Sequence, residues 1–248
     1  MLDPLETTRR IDDAFLGYLR SSFGPRRPEL RDAYHRALNE GGDLSRVPFV
    51  QATAPFKPGR SVDELIRAGV LSAGMRDLAE SFPLDRPLHG HQEAAILKSV
   101  EHERNLVVST GTGSGKTEAF LFPIIEHLLG EREAGTLGKP GVRALLLYPM
   151  NALANDQVKR LRGLLAPLPE ITFGRYTGET EETQLRAESD FQQRYPGATL
   201  HPNELISRQV MKERPPHLLL TNYAMLEYLL LRPDDTPFFD GEHAKSWK

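Results

Sequence analysis

The run Thr110-Gly111-Thr112-Gly113-Ser114-Gly115-Lys116-Thr117 constrains the fold of this chain more than any other segment. It follows a short apolar stretch, residues 105–109, and precedes a helical run of apolar side chains over residues 119–128. In such a strand, loop and helix arrangement, the glycines let backbone N–H groups curl around phosphate oxygens, and the helix dipole points at the same charge. The segment therefore predicts a Walker A phosphate loop, although Thr110 stands where the general pattern has glycine.

The last two residues of this loop carry its predicted chemistry. Lys116 is expected to neutralise the β and γ phosphates of ATP, and Thr117 is expected to offer its hydroxyl to Mg²⁺. The other predicted phosphate-binding residues are Thr110, Gly111, Thr112, Gly113, Ser114 and Gly115. The alternative is a glycine-rich turn that binds nothing, but the spacing, the Lys-Thr pair and the flanking elements all favour the phosphate loop.

From residue 87 onward, short apolar strands alternate with helices, which predicts an α/β domain with a parallel sheet. We expect strands over residues 105–109, 142–148, 171–176 and 217–221, and helices over residues 92–101, 115–129, 153–165 and 203–213. Pro123 lies inside the second helix, and its missing N–H is expected to kink or shorten that helix. Residues 179–193, rich in Glu and Gln, are predicted to form a solvated helix or a surface insertion.

Residues 1–86 are predicted to be a mainly helical accessory segment. Apolar residues recur at helical spacing up to about residue 45, and Gly41-Gly42 is expected to end the second helical run. The prolines of residues 47–60 favour an extended strap. Ser61 and Glu64 then form a capping-box pattern, which predicts that a short helix begins there.

Composition narrows the class of protein without identifying it. The 248 residues carry a formal charge of -3, so any contact with a nucleic acid must come from a local arrangement of basic and polar groups. The chain has no cysteine, which excludes disulfides and thiolate zinc sites and fits a reducing cytoplasm. No stretch resembles a signal peptide or a run of 18 apolar residues, so we predict a cytoplasmic chain with no membrane span.

Further segments around the loop distinguish among nucleotide-binding proteins. Leu88-His89-Gly90-His91-Gln92 places a glutamine 24 residues before Lys116, at the start of a helix, and resembles the Q motif of superfamily 2 helicases. The resemblance implies that the Gln92 amide reads N6 and N7 of adenine. Asparagine and glutamine side chains make the same bidentate contact when proteins recognise adenine in DNA.

Three more segments, each at the end of a predicted strand, resemble helicase motifs that grip a nucleic-acid backbone. The segment 149–157 looks like motif Ia, residues 221–227 look like motif Ib, and residues 175–178 look like the glycine motif between them. The resemblance implies nucleic-acid contacts at Pro149, Asn151, Gly178, Thr221 and Asn222. Lys159, Arg160 and Arg162 follow motif Ia, where either nucleic-acid contact or a solvated charged face explains them.

Together, residues 88–231 resemble the first RecA-like domain of large bacterial DEAD/DEAH-type helicases of superfamily 2, a group related to the mitomycin-repair and Hrq-like enzymes. The segment 148–157 is the most specific match. The resemblance implies ATP-driven movement along single-stranded DNA, in repair or phage defence, with a second RecA-like domain as partner in cis or in trans. The predicted fold class is therefore an incomplete RecA-like parallel sheet with flanking helices over residues 87–248, preceded by the helical segment.

The carboxylate motif of this family, Asp-Glu-Ala-His at the end of a strand, is missing from the 248 residues. Asp240-Gly241-Glu242-His243 imitates it by letters, but too few apolar residues precede it to form a buried strand, so we predict a surface turn. Without these carboxylates we expect the 248 residues to bind ATP but not to hydrolyse it. A nucleotide-binding interaction module that has lost catalysis, or another P-loop enzyme such as a kinase or GTPase, stays an alternative.

Overall fold

The structure is a computed structural model, and it describes residues 3–40 and 54–239. The chain divides into two compact units, Met1–Pro55 and Phe56–Lys248. The predicted turn at 240–243, the glycine pair at 41–42 and residues 47–53 of the predicted strap lie outside the described residues. None of the described helices combines the length and apolarity that crossing a membrane requires.

The first unit contains two helices, α1 (Pro4–Phe23) and α2 (Pro28–Glu40), which confirms the helical N-terminal prediction. Asp3 begins α1 by accepting hydrogen bonds from the backbone N–H groups of Leu5 and Glu6, because the first turn of a helix leaves those donors without partners. The Tyr34 hydroxyl donates to the Leu19 carbonyl oxygen at 3.3 Å and so links the two helices.

The second unit begins with short elements that pack into its core. Strand β1 (Pro58–Ser61) pairs antiparallel with β2 (Pro87–His89), and between them lie α3 (Val62–Arg67) and a 3₁₀ helix (Ala73–Glu80). The predicted capping box is present, because the Ser61 hydroxyl accepts from the Glu64 N–H and the Glu64 carboxylate accepts from the Ser61 N–H. Residues 56–86, which the sequence analysis grouped with the N-terminal segment, thus pack with the α/β unit.

The main sheet of the second unit has four parallel strands in the order β3-β6-β4-β5. The strands are β3 (Ala144–Tyr148), β4 (Phe173–Arg175), β5 (Glu204–Leu205) and β6 (Leu218–Asn222). The helices are α4 (Gly90–Val100), α5 (Lys116–Glu133), α6 (Asn151–Leu164), α7 (Gln184–Arg194), α8 (Arg208–Glu213) and α9 (Tyr223–Leu231). The predicted α/β class with a parallel sheet is confirmed.

Burial explains why β6 reads as an unbroken apolar run. Leu218, Leu219 and Leu220 have no exposed surface, because helices cover both faces of a parallel sheet and leave no position for a polar residue. On one face the core includes Leu121, Phe122, Ile125, Leu161, Phe173 and the two leucines at 218 and 220. On the other face Leu219 packs with Val142, Tyr176, Met211, Met225, Leu229 and Phe238.

The structure corrects two of the predicted elements and gives the full length of a third. Residues 105–109 form no strand, and Val107 is 97% exposed, because no described strand pairs with this segment and apolar character alone does not make a ladder. The predicted helix over 203–213 begins as β5, and α8 starts only after Ser207, whose hydroxyl accepts from the Val210 N–H. Pro123 does not shorten α5, which continues to Glu133.

His217 directly precedes β6, and its ring connects this strand to the segments around Thr172 and Leu137. Its Nδ1 accepts from the backbone N–H of Thr172 at 3.0 Å, and its Nε2 lies 2.9 Å from the Leu137 carbonyl oxygen, so Nε2 carries the proton. Burial lowers the pKa of His217 below its ordinary 6.5. The native state therefore binds fewer protons than the unfolded state, and the stability that neutral His217 contributes is present above about pH 6.5 and lost as pH falls through the lowered pKa.

We accordingly expect the free energy of unfolding to decrease as pH falls below about 6.5, and His217→Gln to flatten this dependence. The substitution should itself cost about 1 to 3 kcal/mol, because it leaves a buried hydrogen-bonding group without its partner. Urea unfolding at several pH values measures both effects. His102→Gln, at an exposed position, is the matched control and should leave the pH profile unchanged. A profile that keeps its slope in His217→Gln would contradict this assignment.

Candidate nucleotide site and nucleic-acid interface

Residues 110–115 form an irregular loop that ends where α5 begins at Lys116. Gly113 and Gly115 adopt left-handed backbone angles, with φ of 75° and 71°, which residues with a side chain rarely adopt. The hydroxyls of Thr110 and Ser114 lie 2.6 Å apart and bridge the two ends of the loop. The loop therefore leads directly into the N-terminus of an 18-residue helix. Backbone N–H groups and the helix dipole at such a position favour the binding of an anion.

Lys116 is held by the loop itself. Its ammonium donates to the carbonyl oxygens of Thr110 at 2.8 Å and Gly111 at 2.7 Å, and the residue is half-buried. None of the ion pairs found in the described part of the chain involves Lys116. Its positive charge is thus positioned by uncharged oxygens and stays available to a phosphate.

Thr117 is half-buried in the first turn of α5, next to Lys116 in sequence. A threonine hydroxyl fits Mg²⁺ as one oxygen ligand, since this ion is usually bound by few protein groups together with phosphate oxygens and water. Within residues 3–40 and 54–239, no cluster of three or more His, Asp or Glu side chains is arranged to hold a metal. In that role Thr117 would share the ion with the nucleotide.

Gln92 lies against the phosphate loop and is 3% exposed. Its Oε1 accepts from the backbone N–H of His89 at 2.7 Å, and its Nε2 donates to the Gly115 carbonyl oxygen at 2.8 Å. The same Nε2 lies 3.5 Å from a Glu118 oxygen. The structure thus joins Gln92 to the loop, through contacts that occupy both its amide oxygen and its amide nitrogen. Adenine reading stays a prediction.

Glu118 is a buried acid that the sequence analysis missed. It lies in the first turn of α5, near the Gln92 amide, and forms an ion pair with Arg160 of α6. Arg162 is also engaged, since it donates to both Glu204 oxygens at 2.6 and 2.8 Å. Both arginines therefore pair with protein carboxylates, although 40% of the Arg160 side chain stays exposed, and Lys159 is exposed as well. An acid directly after the Lys-Thr pair, within an apolar helix, was the available signal for Glu118.

The carboxyl ends of β3, β4 and β6 bring several predicted nucleic-acid residues together. The Asn222 amide donates to Asn151 Oδ1 at 2.6 Å, and Asn222 Oδ1 accepts from the Met225 N–H at the start of α9. Pro149 and Gly178 are exposed near the same strand ends. Parallel strands place their carboxyl ends at one sheet edge, which is where ligands bind in open α/β sheets.

Two residues at this edge make contacts that their sequence motifs did not predict. Thr221 is fully buried, and its hydroxyl donates to the Tyr176 carbonyl oxygen at 2.6 Å, so its side chain joins β6 to β4 and faces away from solvent. Arg175, at the end of β4, donates to Asn155 and to Glu179. The sequence analysis did not single out Arg175 or Glu179 as site residues, because only the tertiary fold brings them beside Asn151.

Comparison with known proteins agrees with this geometry. The family model described as "DEAD/DEAH box helicase" matches residues 90–231, more than half of the chain. Druantia protein DruE of Escherichia coli is 28% identical over 321 aligned positions, which cover 98% of this chain and 17% of DruE. ATP-dependent helicase Lhr-Core of Methanothermobacter thermautotrophicus is 30% identical over 142 positions, 57% of this chain and 15% of that protein. The chain therefore spans less than a fifth of the length of these relatives.

Among solved structures, that of the DUF1998 helicase MrfA bound to DNA and AMPPNP resembles this chain with a TM-score of 0.51. The superposition covers 79% of this chain and 22% of the MrfA chain, with 20% sequence identity. At this level of identity the likeness concerns the fold, and it supports a RecA-like arrangement of the sheet and its helices.

Proposed function

Because the chain belongs to the DEAD/DEAH box helicase family, we propose that it supplies the ATP-binding part of an ATP-dependent motor that moves along nucleic acid. The observation that carries this proposal is the loop of residues 110–115, which ends at the N-terminus of α5 with Lys116 held only by carbonyl oxygens. Such a loop offers backbone donors, a helix dipole and one positive charge to a triphosphate.

In this proposal each predicted residue has one task toward the nucleotide. The loop amides bind phosphate oxygens, Lys116 neutralises the β and γ phosphates, and Thr117 gives one oxygen to Mg²⁺. When bound, the ion screens the phosphate charge that would otherwise repel a nucleophile. Gln92 reads the adenine base, and its existing bond to Gly115 connects base recognition to the conformation of the loop.

We propose single-stranded DNA as the partner at the sheet edge, with contacts from Pro149, Asn151, Gly178 and Asn222 and from the main chain at Thr221. The exposed Pro149 and Gly178, and the amides at the ends of β3 and β6, support a backbone-binding role, since such groups bind phosphates without reading sequence. The nucleic acid in the MrfA structure is DNA, which motivates the choice of DNA over RNA.

We further propose that hydrolysis needs carboxylates that the 248 residues do not supply, together with a second RecA-like domain in cis or in trans. Mg²⁺-dependent hydrolysis in P-loop enzymes uses an acidic residue on the ion and a group that orients the attacking water. The sequence contains no Asp-Glu-Ala-His motif to serve in this way. We also propose that the protein works in the cytoplasm, because the lack of cysteine fits a reducing compartment.

Nucleotide titrations of the purified 248-residue chain test this proposal. We expect ATP to bind at least about tenfold more tightly than GTP, because a bidentate amide contact discriminates between bases by about 1 to 3 kcal/mol. We expect no phosphate release above background, with or without single-stranded DNA. Equal affinity for GTP would contradict the role of Gln92 and favour another P-loop enzyme, whereas DNA-stimulated phosphate release would show that the 248 residues already contain the hydrolytic groups.

A further inference from the structure

The Glu179 carboxylate lies between nitrogen donors from two strand ends. Asn151 Nδ2 donates to one of its oxygens at 3.0 Å, and Arg175 Nη1 donates to the other at 3.0 Å. Asn151 follows β3 at the start of α6, and Arg175 ends β4. A carboxylate and a phosphodiester both present two anionic oxygens, so donors that hold one with good geometry can hold the other.

The two donors are anchored independently of Glu179. Asn151 accepts from the Asn222 amide at 2.6 Å through its oxygen, which keeps its Nδ2 directed at the edge. Arg175 also donates to Asn155 of α6, and only 18% of its side chain is exposed. Removing the carboxylate would therefore leave both donors in place.

Glu179, by contrast, lies at the surface. It follows the exposed Gly178 in a turn, and 43% of its side chain is exposed. The hydrogen bond from Asn151, together with the charge of Arg175, lowers the pKa of Glu179, so this group is an anion at neutral pH. An exposed carboxylate on a turn can swing into solvent at small cost, because exposed ion pairs contribute little.

We propose that Glu179 occupies a backbone-phosphate site made by Asn151 and Arg175, and that a nucleic acid must displace it to bind this edge. Glu179 then competes with the nucleic acid for this site and weakens its binding. When the nucleic acid binds, a backbone phosphate takes the place of the Glu179 carboxylate, and Arg175 supplies the positive charge. This inference rests on the proposed function, which assigns nucleic acid to the same edge but gives no role to either charged residue.

The test measures binding of a fluorescent oligothymidylate to the wild-type chain and to Glu179→Ala over a range of salt concentrations. We expect the variant to bind about three to ten times more tightly, as removal of one nearby negative charge predicts. The slope of log affinity against log salt should steepen, by up to about 0.7, because the phosphate then meets Arg175 with no carboxylate beside it to offset the charge. Adding Arg175→Gln to Glu179→Ala should reverse both changes.

Two controls separate this result from general effects. Glu188→Ala removes the same charge at an exposed position on α7 and should change affinity by less than about twofold. Thermal unfolding of each variant shows whether it is folded. If the wild type binds and Glu179→Ala binds equally or more weakly, the inference is overturned and the proposed function stands. If neither binds while both are folded, the nucleic-acid role of this edge fails along with the inference.

Discussion

Replacing Lys116 with alanine is expected to weaken ATP binding by at least about 100-fold and to abolish turnover in the complete motor. Two losses combine. The variant lacks the charge that opposes the β and γ phosphates in a partly buried loop, where electrostatic contacts are stronger than in water. It also lacks the hydrogen bonds from Lys116 to the carbonyl oxygens of Thr110 and Gly111, which hold the start of the loop against α5. Calorimetric titration with ATP measures the weakened binding, and phosphate release by the complete motor measures the loss of turnover.

Lys159→Ala provides the matched control, because this lysine is exposed on α6 and lies outside the loop. It should bind ATP as the wild type does. Lys116→Arg keeps the charge but changes the shape of the donor, so it should recover only part of the affinity. Unaltered ATP binding by Lys116→Ala would remove the main support for the motor interpretation.

Changing Gln92 to glutamate is expected to disrupt the phosphate loop even though the two side chains have nearly the same shape. The Gln92 Nε2 donates to the Gly115 carbonyl oxygen at 2.8 Å and lies 3.5 Å from a Glu118 oxygen, in a position that is 97% buried from solvent. A carboxylate there would place an anion against two oxygens. We expect a loss of at least about 2 kcal/mol in stability, together with weakened ATP binding.

The pH dependence of this variant distinguishes repulsion from a simple loss of contact. Burial and the neighbouring Glu118 should raise the pKa of the introduced carboxyl, and its protonated form can again donate to Gly115. The defect in ATP affinity relative to the wild type should therefore shrink as pH falls from about 8 toward about 5.5. Glu118→Gln in the same background should relieve part of the defect at neutral pH.

Gln209→Glu is the matched control, because the Gln209 amide also donates to a glutamate, Glu213, at 3.2 Å but on an exposed helix. Water screens the resulting pair of carboxylates, so we expect a cost below about 0.5 kcal/mol. If Gln92→Glu binds ATP normally at neutral pH and shows no loss of stability, the contact between Gln92 and the loop contributes neither to ATP binding nor to stability.

The sequence predicted best where one local rule was sufficient. The capping box at Ser61 and Glu64 needs only residues three apart, and the structure contains both of its hydrogen bonds. The apolar runs of β3 and β6 predicted strands of a parallel sheet, and the leucines of β6 are buried, whereas Leu147 of β3 is 48% exposed. The loop from Thr110 to Thr117 needed glycines at fixed positions, and Gly113 and Gly115 adopt the left-handed angles that only glycine takes readily.

Tertiary structure decided everything that depends on a distant partner. The apolar segment 105–109 had the composition of a strand, yet a strand exists only when a neighbour supplies the hydrogen bonds, and no described strand does so here. Thr221 looked like a surface contact in a motif, but the approach of β4 buries its hydroxyl against the Tyr176 carbonyl oxygen.

The sequence by itself determined the glycine-rich turn before α5, the helical N-terminal segment and the parallel α/β class, because each follows from periodicity or from the backbone freedom of glycine over a few residues. Only the folded chain decided that Gln92 contacts Gly115, that Arg160 and Arg162 bind Glu118 and Glu204, and that Glu179 lies between Asn151 and Arg175. These contacts join residues far apart along the chain, and their geometry follows from how helices pack on the sheet, which no local pattern encodes.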